Sequence, residues 1–417
     1  MTEPPGPADL LVRNIGQLVT CEPALGEAPL GIIERAALAA ADGRICWVGP
    51  DARLDHEVVS CAEARVLDAG GRVALPGFVD SHTHLVFAGS REHEYAMRAR
   101  GATYQEIAAA GGGILSTVRA TRAASVDELV ALGRPRLDLM LRHGTTTCEA
   151  KSGYGLTTAD ESKMLEAIRR LDAGHPVTVV PTFCGAHEVP PEFKGRTDAY
   201  VDLVVEEMLP EVARRGLARY VDVFCEEGVF SVAESRRILE AGARLGLRAK
   251  FHADEFVTLG GAGLAAEVGA LSADHLLKAR VEDIARMKAA GVTAALLPGT
   301  AFFLGLPYAP ARAFLETGVR VALASDFNPG SSMGLNLQLV MTMAVSQMKM
   351  TMEEALLGVT LNAAHAMGLE AEIGSLRPGK FCDLLLADAP TWERIPYFYG
   401  VNHVARVIKR GSVVWEA

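Results

Sequence analysis

Two histidines one residue apart, His82 and His84, close the apolar run "LPGFVDSHTH". In an extended chain, residues i and i+2 project from the same face. Two imidazoles placed this way can chelate one metal ion at about 2 Å each. Two other apolar runs end in groups that could complete the shell: His252 in "AKFHADE" and Asp326 in "VALASDFNPG". Three imidazoles and a carboxylate suit Zn²⁺ or iron. A further position could take water or substrate, and metal-bound water ionises near neutral pH. The Asp326 carboxylate could receive that proton. Taken alone, Asp326 before "FNPG" fits a helix N-cap equally well.

His275 in "SADHL" is another histidine at the end of an apolar run. It could bind a second metal, or steer the attacking water without binding metal. A two-metal site needs a bridge, and a carbamylated Lys151 in "CEAKSGYG" would be its source. The single-metal reading is favoured, with Lys151 an ordinary amine.

Groups so far apart in sequence must be gathered by a scaffold. Apolar, β-branched runs at 73–82, 145–150, 177–184, 220–225, 249–253, 270–274, 292–297 and 319–325 alternate with amphipathic stretches such as "SVDELVALGRPRLDLMLRHG" and "ADESKMLEAIRRLDAG". Ser125 with Glu128 forms a capping-box pattern, and Asp160 with Lys163 brackets a second helix start. Eight parallel strands with helical intervals predict a (β/α)₈ TIM-type barrel, whose catalytic groups lie at the C-terminal strand ends. A doubly wound open sheet competes with it on pattern alone. Before residue 76 and after 369 the texture is all-β, with Asp42-Gly43 marking a hairpin. The expected organisation is a small β-sandwich domain built from 1–76 and 370–417, around a barrel spanning 77–369. The seven methionines between Met333 and Met367 are expected as core filler.

The 41 basic and 51 acidic residues give a net charge of −10. No long Lys/Arg cluster offers a face for nucleic acid. The seven cysteines form no CxxC pair and read as reduced thiols in a cytoplasmic protein. The start "MTEPPGPADL" lacks the features of a secretory signal, and no apolar run is long enough to span a bilayer.

The ordered set "LPGFVDSHTHLVF", the distant His, the "SD" strand end and "NAAHAMGL…GSLRPGKFCDLLL" resembles the metal-dependent amidohydrolase superfamily across nearly the whole chain. More narrowly, "HTHLVFAGSRE", "GGGILSTV", "EAKSGYGL", "GAHEVP", "FHADEF", "SADHL" and "SDFNPGSS" resemble the imidazolonepropionase family. That resemblance implies opening of the cyclic amide of 4-imidazolone-5-propanoate to N-formimidoyl-L-glutamate, in histidine degradation. It implies one Zn²⁺ or Fe³⁺ per subunit on His82, His84, His252 and Asp326, and a homodimer.

The remaining motif residues suit such a substrate. Arg91 offers a planar fork for the propionate carboxylate. Tyr154, between Gly153 and Gly155, could add a hydrogen bond. His187 could donate to the scissile carbonyl or hold the ring. Glu255, by similarity to the family, contacts substrate and helps activate water or protonate the ring nitrogen. Asn328, Gly330 and Ser331 lie in a loop whose backbone amides suit the carboxylate created by ring opening. The segment 111–117, "GGGILST", reads as an active-site loop or lid. The alternatives are another amidohydrolase (a deaminase or a hydantoin-type hydrolase) and a non-catalytic metal-binding scaffold. Arg91 argues against the first, because a neutral base needs no carboxylate clamp. The extra acid–base groups argue against the second, because a structural site is closed.

Overall fold

Strand patterning is followed closely in the computed structural model, which describes residues 6–102, 106 and 110–417. In chain order the strands are β1 (Ala8–Val19), β2 (Ile32–Ala41), β3 (Arg44–Pro50), β4 (Ser60–Asp68) and β5 (Val73–Pro76). Then come β6 (Phe78–Asp80), β7 (Thr145–Lys151), β8 (Thr178–Ala186), β9 (Tyr220–Cys225), β10 (Arg248–Ala253), β11 (Ser272–His275), β12 (Thr293–Leu296) and β13 (Val321–Leu323). The last are β14 (Leu384–Ala387), β15 (Val404–Lys409) and β16 (Ser412–Glu416).

Strands β6 to β13 form one eight-stranded sheet in sequential order. Such strands are covered on both faces, and β7 and β11 are buried along their whole length. The chain beyond β6 then meets the chain beyond β13. Thr83 bridges in parallel to Phe327, Asp326 N donates to His82 O at 3.0 Å, and His84 N donates to Phe327 O at 2.9 Å. This pairing closes the sheet into a barrel and rules out the doubly wound alternative. It also brings the first and last strand ends, with their polar groups, side by side.

The other eight strands make a mixed sheet, ordered β16-β15-β14-β5-β1-β2-β3 with β4 on β1. Leu384 to Ala387 run antiparallel to Pro76 to Val73, so the two ends of the chain share one ladder. They also share a core that includes Leu10, Val12 and Leu38 with Leu384, Leu386 and Ile408. The hairpin at Asp42-Gly43 is present, both residues having positive φ (50° and 74°).

The run 73–82 is not one strand, as its texture predicts. It breaks at Gly77, leaving Val73–Pro76 in the mixed sheet and Phe78–Asp80 in the barrel. Pro76 has no N–H for a ladder. A β-carbon on Gly77 would sit 2.3 Å from Thr146 Oγ1, so only glycine passes there. The helix expected to start near Asp160 starts at Thr158, capped by Thr157, whose side chain accepts from Asp160 N. The Ser125–Glu128 capping box forms as expected. Of the methionines between 333 and 367, Met341, Met348, Met350 and Met367 are buried, whereas Met333 is exposed.

By packing, one compact unit takes the chain up to Asp80, together with Asp138–Thr147 and Asn336–Ala417. The other consists of Ser81–Leu137 and Cys148–Leu335. Every residue of the site below belongs to the second unit.

Candidate active site

His82 and His84 follow β6, on either side of the bridge residue Thr83, and are buried. His252 lies in β10, His275 ends β11, and Asp326 follows β13. All five converge. His82 Nε2 is 3.4 Å from Asp326 Oδ1, His84 Nε2 is 4.0 Å from the same oxygen, and His84 Nε2 is 3.4 Å from His252 Nε2. Ligands about 2.1 Å from one tetrahedral ion stand roughly 3.4 Å apart. His82 Nε2 is buried with no hydrogen-bond partner. A buried polar atom left in this state is costly unless something binds it. The donor set therefore fits a divalent metal ion.

Carboxylates beneath the histidines set which ring nitrogen faces the cavity. His82 Nδ1 donates to Asp274 Oδ2 at 2.6 Å, and His252 Nδ1 donates to Asp222 Oδ1 at 2.9 Å. Each imidazole is thereby fixed in the tautomer that presents Nε2. Burial, with neighbouring positive groups, holds His82 well below the usual imidazole range, so it stays neutral as a ligand must. The carboxylates are balanced by Lys151, whose Nζ lies 2.7 Å from Glu149, 2.5 Å from Asp222 and 3.7 Å from Asp274. Burial opposes its charge, but Asp222, Glu149 and Asp274 outweigh it and raise the Lys151 pKa. The Lys151 amine is engaged by these carboxylates, which supports its reading as an ordinary amine. Lys250 extends the network to Ser272 Oγ (2.9 Å) and Glu149 (3.4 Å).

Beside these candidate ligands opens a cavity of about 440 Å³. It is lined by His84, His252, Asp326, His275, Glu255, His187, Arg91, Tyr154, Asn328, Gly330 and Ser331. Every site residue expected from the sequence is thus at its wall, except His82, which is wholly buried. Glu255 is buried 3.5 Å from His275 Nδ1. Burial, then repulsion from Asp326 and Glu226, raises its pKa well above the usual glutamate range. Burial also pushes Asp326 up to about 6, against a hydrogen bond of 2.5 Å from the Thr300 hydroxyl. His187 stacks on His84 with centroids 4.6 Å apart, and its Nδ1 donates to Gly153 O at 3.1 Å. Burial lowers His187 to about 3, so the ring is neutral and Nε2 carries a lone pair. Tyr154 is buried, and its phenol is held protonated by burial and by Asp326.

Backbone strain collects at the same strand ends: His275, Leu276 and Asp326 have φ of 73°, 59° and 51°. Such conformations are uncommon outside glycine and cluster at functional sites.

Two expectations are corrected. The amides of Gly330 and Ser331 are not open to an anion. Both donate to Asn328 Oδ1 at 2.8 Å, because that side chain folds the loop onto itself. The segment 111–117 is a loop only as far as Gly113, after which the helix Ile114–Ala123 begins.

The sequence reading passed over Asp222 and Asp274, which hydrogen-bond His252 and His82, and over Glu149 and Lys250, which extend that buried charge network. It also passed over Arg136, which lies 3.6 Å above the Phe87 ring and donates to the carbonyls of Leu85 and Phe87, just beyond His84. The usable signal was charge within apolar strands, as in "YVDVFC" and "RAKFHA".

The amidohydrolase family model matches residues 73–414. The structure is similar to atrazine chlorohydrolase from Arthrobacter aurescens complexed with zinc (TM-score 0.72, 18% identity, 98% of this chain and 95% of that one). It is also similar to Escherichia coli guanine deaminase (TM-score 0.73, 17% identity, 98% and 99%). The chain belongs to the amidohydrolase family. Its curated relatives include the imidazolonepropionase of Symbiobacterium thermophilum, 55% identical over 414 residues (98% of this chain, 97% of the relative). That of Geobacillus kaustophilus is 54% identical over 413 residues (97% of each).

Proposed function

We propose that this chain hydrolyses the cyclic amide of 4-imidazolone-5-propanoate, giving N-formimidoyl-L-glutamate. The observation that carries the reading is the half-buried guanidinium of Arg91 in the cavity lined by His84, His252 and Asp326, three of the four converging candidate ligands. It is supported by near full-length similarity to imidazolonepropionases.

His82, His84, His252 and Asp326 would hold one zinc or iron ion. When bound, it lowers the pKa of water and polarises a carbonyl. Arg91 and Tyr154 anchor the propionate arm, so that attack on the ring carbonyl is effectively intramolecular. His187 Nε2 accepts from a ring N–H and so orients the ring. Asp326 takes the proton of the attacking water, which His275 orients. Oxygen adds to the ring carbonyl carbon, and the ring C–N bond breaks. The departing nitrogen receives its proton from Glu255, which burial keeps protonated. Asn328, Gly330 and Ser331 form the wall against which the new carboxylate is accommodated.

The test couples metal analysis to turnover of imidazolone propionate. His252→Ala and Asp326→Ala should lose metal and ring-opening activity together. A metal-free variant with full activity would overturn the assignment. A substrate panel with and without the propionate arm separates this reading from a deaminase or hydantoin-type hydrolase.

The same proposal includes a homodimer without nucleic-acid or membrane partners. The seven cysteines are all free, which supports a reducing, cytoplasmic setting. Among the described residues no helix is long and apolar enough to cross a membrane. A small domain built from 1–76 and 370–417 is supported by the ladder between β5 and β14, while packing extends that unit to Asp80 at one end and from Asn336 at the other and adds Asp138–Thr147.

A further inference from the structure

Arg91 does not enter the cavity as a lone cation. Its Nε and Nη2 both reach Glu94 Oε2, at 3.0 and 2.9 Å. The other oxygen, Oε1, accepts from Gly113 N at 3.0 Å and from the Ser116 hydroxyl at 3.4 Å. Glu94 is only 2% exposed, and neither of its oxygens is left unpaired. One edge of the guanidinium is therefore taken, which leaves the Nη1/Nη2 edge for a second carboxylate. Nη1 lies against Gly330, 2.5 Å from where a β-carbon would sit there, so the plane is confined from that side too.

An arginine side chain has several torsions to order, and ordering it during binding weakens affinity. Here the order exists before substrate arrives. We propose that Glu94 is a positioning residue for the carboxylate clamp. It fixes the plane of Arg91, and it ties that plane to the turn at Gly113 that starts the helix Ile114–Ala123. This inference rests on the reading of Arg91 as the propionate anchor. Glu94 touches no reacting atom, so it should act on substrate binding and not on the chemical step.

The experiment measures KM and kcat of metal-loaded wild type, Glu94→Gln, Glu94→Asp and Arg91→Met. Each is assayed on imidazolone propionate and on an imidazolone whose side chain lacks the carboxylate. Glu94→Gln should raise KM for the acid roughly tenfold or more, with kcat changed less, because a misplaced anchor loses its geometry. The uncharged analogue should be affected little. Glu94→Asp keeps the charge but shortens the reach, and should fall between. If Glu94→Gln does not fold, Glu94→Asp carries the same comparison with the buried charge balance intact. Equal impairment of both substrates by the Glu94 variants, or a fall in kcat at constant KM, would overturn the inference while Arg91→Met still impaired only the carboxylate-bearing substrate. Equal impairment of both substrates by Arg91→Met would instead overturn the reading of Arg91 itself.

Discussion

A β-carbon on Gly330 would come closer to Arg91 Nη1 than real β-carbons come to any neighbour, yet its backbone lies outside the left-handed region. The constraint is therefore steric. Gly330→Ala should fold normally, because Gly330 is only partly buried. It should raise KM for the acid substrate several-fold by displacing the guanidinium; an unchanged KM would separate Arg91 from substrate binding. Glu255 makes a pH prediction for the metal-free protein. Its raised pKa means the folded chain binds a proton that the unfolded chain releases. Stability then falls as pH rises from the ordinary glutamate value towards the folded one. Glu255→Gln removes that slope. Its melting temperature should exceed wild type at about pH 7 and converge with it towards about pH 4. Parallel curves would contradict the buried acid.

Among the elements, β7 carries the counter-charge of the site. Lys151 stands between Glu149, Asp222 and Asp274, two of which hydrogen-bond the candidate ligands His252 and His82. Lys151→Met would leave three buried carboxylates with Lys250 as their remaining cation. Breaking a buried pair from one side costs about 3–5 kcal/mol. Loss of the support behind ligating histidines typically weakens metal binding by about 10–100-fold. Denaturant melts of the metal-free protein and a chelator competition should show both effects. Unchanged metal affinity would mean that Asp222 and Asp274 hold the rings without help.

For the molecule as a whole, the mixed sheet cannot be completed until the end of the chain is made. β14 pairs with β5, and Leu384, Leu386 and Ile408 fill the core that Leu10, Val12 and Leu38 begin. A chain ending at residue 369 should expose that core and be recovered as aggregate, as judged by soluble yield and near-ultraviolet dichroism. A soluble, metal-binding truncation would show that the barrel folds without the closing strands. Sedimentation of the intact protein should return twice the mass of one chain.

Much of this was legible in the residues themselves. The two-residue period and the apolar runs marked all eight barrel strands. The His82/His84 spacing marked one strand end, and Asp42-Gly43 and Ser125–Glu128 marked a hairpin and a cap. These are local properties, decided by side-chain size, φ preference and short-range hydrogen bonds. Partner choice between distant segments is different. That Asp274 would hydrogen-bond His82 and that Lys151 would meet Asp222 both depend on which strand ends the fold brings together, whereas the Arg91–Glu94 pair is local, three residues apart. The break at Gly77, forced by its approach to Thr146, belongs with the distant pairings. The chemistry was written in residue types and spacing; which buried charge meets which was decided only by closure of the barrel, because a desolvated ion takes whatever partner lies within a few ångströms.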